Sequence, residues 1–352
     1  MSFSFDKAAL PVASAQDFLE QCPHRARPVR LPHLGLTIFG ITDCLCLGSA
    51  SQAVGPLCGA DVLCVFRESC PYPANEFELP DIVGKNLKTL EECVEIEEAV
   101  PLFPRGVNNL WHFTTESLPK LLALESIGYT GPYIIPASID SPEGTVVAQS
   151  LAMFGIKDER LLRSGPVYRV KRLMLPQRLT GFDLADNMPL TGFVRQRLIE
   201  AVGLLSGSKR LYIRRVGRRR PLNEEDVLEL LNEFGFTVMV PEEHALREQW
   251  LCMTNVDHSV MVHGANATLT LLQKPESGSI EIFSNRYVSY CNLHAARYLR
   301  MRHHALVEEL EPSSYPGERM PVEDFLRQGN VASPWVDTLH LRILLENMLP
   351  AS

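Results

Sequence analysis

Three stretches of this sequence carry side chains whose types and spacing suit chemistry. Between Lys209 and Arg220 stand seven basic residues, Lys209, Arg210, Arg214, Arg215, Arg218, Arg219 and Arg220, with no acidic residue among them. In a chain that is acidic overall such a run is a local anion trap, and arginine suits it because a planar guanidinium grips phosphate oxygens two at a time. A solvated basic loop is the competing reading, and not all seven can face one way. The second stretch, Val260 to Ala267, runs from apolar residues through His263-Gly264-Ala265-Asn266 toward a helix. A helix start after a glycine turn offers unpaired backbone N–H groups and a positive dipole end to an anion. The third is Asn109 to Pro119, where His112 and Glu116 are four residues apart and share a face once helix has begun. A histidine beside a carboxylate can be a base and its orienter, although a histidine among Trp111, Phe113 and Leu118 can equally be packed core.

These residues need a scaffold, and the sequence supplies one. Arg195 to Leu205 is helical by period, Arg210 to Arg214 reads as a strand, and Glu224 to Phe234 is a helix with Val227, Leu228, Leu230, Leu231 and Phe234 on one stripe. Asn223 is placed to cap that helix, Glu224, Glu225 and Asp226 complement its dipole, and Gly235 suits a left-handed C-terminal residue. Then come a strand (Phe236 to Val240), a helix (Ala245 to Met253), a strand (Ser259 to Val262), a helix (Ala265 to Leu272) and a strand (Ser279 to Phe283). Four strands with a helix between each pair predict a parallel, Rossmann-like sheet whose ligands bind at the carboxyl ends of its strands.

The first half alternates as well. A helix over Thr114 to Ile127, a strand Tyr133 to Ile135, a helix Thr145 to Phe154 and a strand Val167 to Leu175 follow a β-rich opening with short strands Leu36 to Ile41 and Val62 to Phe66. The expected division is residues 1–190, of which 1–105 are the β-rich opening, then 191–315, then a tail over 316–352. The tail's final helix, Val336 to Met348, is expected to pack back on the first domain.

The chain has 352 residues, enough for two cores. With 34 Lys plus Arg against 42 Asp plus Glu, its net charge of −8 argues against a surface built for nucleic acid or anionic lipid. RNA binding through the arginine run would need interleaved aromatics, and only Tyr212 is present. No apolar run approaches the roughly 20 residues of a membrane helix. Met1 to Pro11 lacks the basic start and apolar run of a secretory signal, which predicts a cytoplasmic protein. Nine cysteines, six of them Cys22, Cys44, Cys46, Cys58, Cys64 and Cys70, form no CxxC pair and read as small buried hydrophobes, so no metal site is assigned. GxGxxG and Walker A motifs are both absent.

Asn109 to Leu121, Tyr212-Ile213-Arg214-Arg215 with Arg219, Arg220, Asn223 and Glu224, then Gly235-Phe236, Glu248-Gln249, His263-Gly264-Ala265 and Glu281-Ile282-Phe283 stand in an order and spacing that resembles the family 61 glycosyltransferases. The resemblance covers about residues 105 to 300. It implies a GT-B architecture, two Rossmann-like domains facing across a cleft, here with a β-rich N-terminal segment, and inverting transfer of a sugar from a nucleotide-diphosphate sugar without a metal-binding DxD motif. The chain indeed contains no D-x-D tripeptide. Family members use UDP-linked donors, so a UDP-sugar is the implied co-substrate, a glycan or glycolipid the acceptor, and no further cofactor is expected. Eukaryotic relatives work in the secretory pathway; without a targeting segment the resemblance implies a bacterial-type enzyme of surface polysaccharide assembly, in the cytoplasm or peripherally at the inner face of its membrane.

On this reading Arg215, Arg219, Arg220 and the His263, Gly264, Ala265 and Asn266 turn bind the donor diphosphate, and Glu281, at a strand end, accepts hydrogen bonds from donor hydroxyls or is merely exposed. Asn109, Glu248 and Gln249 are further cleft candidates. An in-line displacement needs its base opposite the leaving group, which selects His112 in the first domain, with Glu116 as orienter or substitute. Two departures from the family pattern, Arg214 where a serine is usual and Asn266 in place of a second glycine, open an alternative: an inactive relative serving as a scaffold or partner-binding protein.

Overall fold

The computed structural model of the protein describes residues 26–48, 53–58, 94–102, 109–135, 140, 145–163, 168–176, 179, 184, 186–308 and 333–349. The chain divides into two compact units, Met1–Thr180 and Gly181–Ser352. The expected strand Val62 to Phe66 lies outside the described residues.

The first unit is built on a seven-stranded mixed sheet. Its strands are β1 (Ala26–Leu31), β2 (Leu36–Gly48), β3 (Ala53–Cys58), β4 (Val94–Pro101), β5 (Tyr133–Ile135), β6 (Leu161–Arg163) and β7 (Tyr168–Pro176), in the order β1-β2-β7-β4-β5-β6 with β3 paired to β2. β7, β4, β5 and β6 run parallel, with Val94 opposite Tyr168, Val100 opposite Tyr133 and Ile134 opposite Leu162. β2 joins β7 antiparallel, Ile38 facing Pro176. The described strands of the β-rich opening therefore extend the same sheet; Cys44 and Cys46 lie in β2. Since β4 is followed on one side by β5 and flanked on the other by β7, the chain reverses its winding at β4, where α/β sheets place ligands. The helical segment after β4 has three pieces: α1 (Leu110–His112), a π-helical turn (Phe113–Ser117) and α2 (Leu118–Ser126). Leu118, Leu121, Leu122 and Leu124 are buried, and Pro119 sits in the first turn of α2, where its missing N–H costs nothing. Glu125 pins the far end of α2, accepting from Tyr133 Oη (2.5 Å) and from both terminal nitrogens of Arg160 (2.9 and 3.2 Å). Helix α3 (Thr145–Met153) precedes β6.

The second unit carries a fully parallel sheet of five strands, β8 (Lys209–Ile213), β9 (Phe236–Met239), β10 (Val256–Val262), β11 (Gly278–Ser284) and β12 (Arg302–Glu308). Their order is β12-β11-β10-β8-β9, with Tyr212 level with Val260, Val260 with Ile280 and Ile280 with His304. Read from β9, this is the flavodoxin-like 2-1-3-4-5 winding, and its switch point lies between β8 and β10. The helices α4 (Met188–Val202), α5 (Glu224–Glu233), α6 (Leu246–Met253), α7 (Leu293–Leu299) and α8 (Thr338–Met348) complete the unit. One face of the sheet, Tyr212, Val260, Val262, Ile280 and Ile282, forms a core with Val227, Leu230 and Leu231 of α5 and Leu341, Leu345 and Met348 of α8.

Three details differ from expectation. The final helix, expected to pack back on the first domain, packs on the second unit's own sheet: Leu341, Leu345 and Met348, spaced at helical repeat, are completely buried there, each contributing roughly 1.5–3 kcal/mol. A fifth strand, β12, flanks β11 and makes it an interior strand. The segment Ala265–Leu272 is a 3-10 helix, tighter than the expected α-helix. Mixed α/β structure with parallel sheets is compatible with a Rossmann-like glycosyltransferase fold.

Candidate functional site

The switch point of the second unit gathers the residues that follow β8 and β10. Beyond β8 the chain turns through Gly217 (φ 77°) and Arg219 (φ 65°), the left-handed conformation at Arg219 being uncommon outside glycine. The turn folds the basic run back toward the end of β10. Arg219 Nη1 donates to the His263 carbonyl (3.1 Å), and its guanidinium lies over the Tyr287 ring, 4.9 Å from the centroid. Arg215 Nε donates to the Arg218 carbonyl (2.6 Å), while its Nη1 rests against Gly264 so closely that a Cβ there would stand 1.8 Å away. Gly264 has φ 166°, extended backbone open to any residue, so the close approach of Arg215 is what requires glycine. Burial pushes Arg215 and Arg219 below the ordinary guanidinium range, and the charge of Arg219 lowers Arg215 further. Both stay protonated. Two partly buried cations side by side favour an anion, and the first N–H groups of the 3-10 helix, at Ala265 and Asn266, begin beside them.

Four of the remaining basic residues have other partners. Glu224, whose side chain is 1% exposed, receives Arg214 through Nε and Nη2 (3.0 and 2.6 Å) and Arg220 through Nε (2.6 Å), so Arg220, expected on the diphosphate, is held by a carboxylate. Arg210 donates to the Phe234 carbonyl (2.6 Å), and Lys209 to Cys252 Sγ (2.7 Å). Glu224 was legible only as a residue of the first helical turn; its burial depends on the arginines folding back over it.

Glu281 is a correction to the expected strand-end carboxylate. It lies in the middle of β11, 2% exposed, and its Oε1 takes His263 Nδ1 (2.6 Å) and Asn292 Nδ2 (2.7 Å), with His303 Nε2 3.5 Å from Oε2. Its oxygens are thus engaged by protein groups. His263 is 3% exposed, stacks on Phe283 (4.7 Å between centroids) and borders a small cavity lined also by Arg219, Ser284, Tyr287 and Pro334. Sequence reasoning missed Tyr287, Asn292 and His303, which no local pattern marks.

In the first unit His112 Nδ1 and Glu116 Oε1 meet at 2.8 Å, with side chains 17% and 14% exposed. The π-helical turn Phe113–Ser117 follows His112 and contains Glu116, the kind of irregularity that recurs at functional sites. Because an ionised carboxylate only accepts, Glu116 fixes a proton on Nδ1 and leaves Nε2 as the basic nitrogen. Asn109 caps α1, its Oδ1 accepting from the His112 amide (3.2 Å). Glu248 and Gln249 likewise have local roles: Glu248 accepts from the Ala245 amide at the start of α6 (3.1 Å), and Gln249 Nε2 donates to the Pro241 and His244 carbonyls (2.8 and 3.0 Å). Among the described residues no group of three or more His, Cys, Asp or Glu side chains is placed to hold a metal ion, and no helix is long and apolar enough to cross a membrane.

The His112–Glu116 pair and the cluster of Arg215, Arg219 and the Gly264 turn each follow a strand at which their sheet reverses winding. Residues 110–280 match the Glycosyltransferase 61 family model. No curated protein matches the chain. The match begins at the helix of His112, includes both arginines and the His263 turn, and ends one residue before Glu281. It supports a glycosyltransferase, and with it a sugar donor and an acceptor as substrates.

Proposed function

We propose that this protein is an inverting glycosyltransferase of GT-B type that moves a sugar from a nucleoside-diphosphate sugar, a UDP-sugar first among them, to a hydroxyl of a glycan or glycolipid in bacterial surface polysaccharide assembly. The observation that carries the reading is the convergence of Arg215 and Arg219 on the Gly264 turn at the switch point. These two guanidinium groups, with the amides of Gly264, Ala265 and Asn266, would hold the diphosphate. Of the three arginines expected on the diphosphate these two are retained, while Arg220 Nε pairs with Glu224.

In the proposed reaction the acceptor oxygen attacks the anomeric carbon as the bond from that carbon to the phosphate oxygen breaks. The bonding pair leaves with the diphosphate, whose added charge the arginines stabilise in the manner of an oxyanion hole. The acceptor's proton passes to His112 Nε2, and Glu116 stabilises the imidazolium through Nδ1. No metal or other cofactor is assigned a step; the DxD motif that would carry a metal is missing from the sequence. The enzyme would act in the cytoplasm or at the inner membrane face.

The test is calorimetry with UDP, GDP, CDP and their sugars on the wild type and on Arg215→Ala. One nucleotide should bind, and the variant should bind it about tenfold more weakly or worse, the loss of one charge-assisted contact. Equal binding by a folded Arg215→Ala protein would return the basic run to a solvated loop.

A further inference from the structure

Strand β11 ends at Ser284, and the eight residues from Asn285 to Asn292 lead from its carboxyl end to α7. This arc is tied down along its length. The Asn285 amide donates to the Glu308 carbonyl at the end of β12 (2.8 Å), and the Tyr287 amide to the Ser284 carbonyl (3.0 Å). Arg219 lies over the Tyr287 ring, Cys291 Sγ is 4.0 Å from His263 Nε2, and Asn292 Nδ2 donates to Glu281. Tyr290 therefore stands between two residues that touch the candidate site, Tyr287 three positions before it and Cys291 immediately after. Its carbonyl accepts from the Leu293 amide at the start of α7 (3.1 Å), yet its side chain is 70% exposed.

An aromatic ring left in solvent on a restrained backbone can receive a flat partner at small cost in conformational entropy. A single exposed apolar side chain is ordinary on a protein surface, but Val288, on the same arc, and Val216, next to Arg215 in the chain, are exposed as well. The rim beyond β9 has the opposite character. There Glu242, Glu243 and His244 are exposed, and Glu242 is near enough to Arg215 to favour its charged form. The arginine pair thus has acidic, polar surface toward β9 and apolar, aromatic surface toward β11. A nucleoside diphosphate sugar has the matching asymmetry: a hydroxyl-rich sugar on one phosphate and, on the other, a nucleoside whose base presents flat π-faces.

We propose that Tyr290 is the stacking platform for the base of the donor nucleotide, so that the nucleoside lies along the β11 side of the arginine pair and the sugar away from it. This deepens the donor-site reading above and rests on it. Stacking engages the face of a base and not its hydrogen-bonding edge, so Tyr290 supplies affinity for a nucleoside and little choice among bases. The phenol oxygen has no part in it; the ring does.

The experiment is calorimetry on the wild type, Tyr290→Ala and Tyr290→Phe with UDP, CDP, GDP, UDP-N-acetylglucosamine and inorganic pyrophosphate. Tyr290→Ala should keep the wild-type melting temperature, because the ring it removes is exposed. It should weaken each nucleoside diphosphate that the wild type binds by about 5- to 150-fold, the range of base–aromatic stacking, and UDP-N-acetylglucosamine by the same factor as UDP. Tyr290→Phe keeps the ring and should stay within about twofold of the wild type. Pyrophosphate has no base, and the three proteins should treat it alike. NMR of the nucleotide gives a second readout: base protons should move upfield on binding the wild type, as protons over a ring face do, and the shift should be lost with Tyr290→Ala. Affinity within about twofold of the wild type in Tyr290→Ala, for a nucleotide the wild type binds, overturns this inference and leaves the donor site standing. A loss shared by pyrophosphate assigns Tyr290 to the phosphates, and a loss confined to the sugar nucleotide assigns it to the sugar; either overturns the proposal. If the wild type binds none of the nucleotides, the donor reading falls and this inference with it.

Discussion

Replacing Gly264 by Ala removes no group from the proposed donor site and adds one methyl, yet it should weaken the site through Arg215. The new Cβ would lie 1.8 Å from Arg215 Nη1 and 3.0 Å from Cζ. Restoring an ordinary contact of about 3.5 Å pushes that nitrogen back by about 1.7 Å. Hydrogen bonds to phosphate operate over a window of only about 0.5 Å, so the displaced guanidinium no longer reaches the oxygen it served. Loss of a charge-assisted contact of about 1.5–3 kcal/mol predicts nucleotide affinity about 10- to 150-fold weaker. Stability should change little, by less than about 1 kcal/mol, because the obstructing atoms are the far end of a flexible side chain and the Gly264 backbone is extended. Calorimetric titration of wild type, Gly264→Ala, Arg215→Ala and the double variant forms a cycle that isolates the coupling. Since the methyl acts only by moving Arg215, the double variant should bind no worse than Arg215→Ala alone. Independent, additive losses, or wild-type affinity in a folded Gly264→Ala protein, would refute the reasoning.

Three further outcomes are expected. His112→Ala should lower turnover about 10²- to 10⁴-fold with nucleotide affinity nearly unchanged, and full transfer activity in steady-state assays would remove His112 as the base. Asn223→Ala deletes two hydrogen bonds to the Val336 backbone, each 2.9 Å, and should cost about 1–3 kcal/mol in denaturant unfolding while speeding proteolysis ahead of α8; an unchanged cleavage rate would contradict the clasp. His294, fully buried, has a folded pKa lowered by burial to about 4 against 6.5 unfolded. The unfolded chain therefore takes up the proton first, and stability present above about pH 6.5 is lost as the pH falls toward 4. His294→Asn should flatten that part of an acid-denaturation profile, and an identical acid limb would count against the assignment.

Residues near one another in sequence were read well, and residues brought together across strands were not. Strands β8 to β11 and helices α5 and α6 could be placed within a few residues because apolar periodicity and turn chemistry are local. Gly235, for instance, takes the left-handed φ of 72° that its position after α5 called for. His112 and Glu116 pair as their spacing allows, since a helix fixes which side chains meet four residues apart. Asn223 shows where locality fails: read as a helix cap, it spends its side chain on Val336, 113 residues away.

The run Val336 to Met348 was legible as a helix, but a helix does not name the surface that buries it; that Leu341, Leu345 and Met348 go into the second unit's own core is settled by packing. The basic run was visible as charge, whereas its division between Glu224, the Gly264 turn and the His263 carbonyl depends on a turn through Gly217 and Arg219. Glu281 is the clearest case. Its sequence neighbours made it a strand residue, and nothing local distinguishes an edge strand from an interior one. Strand β12, whose Arg302-His303-His304 start carries little apolar pattern, pairs beyond β11 and turns an exposed carboxylate into a buried one facing two histidines. Local order could be read from the sequence because neighbouring residues determine it; the burial and charge of the site could not, because they belong to contacts that exist only after the sheet has formed.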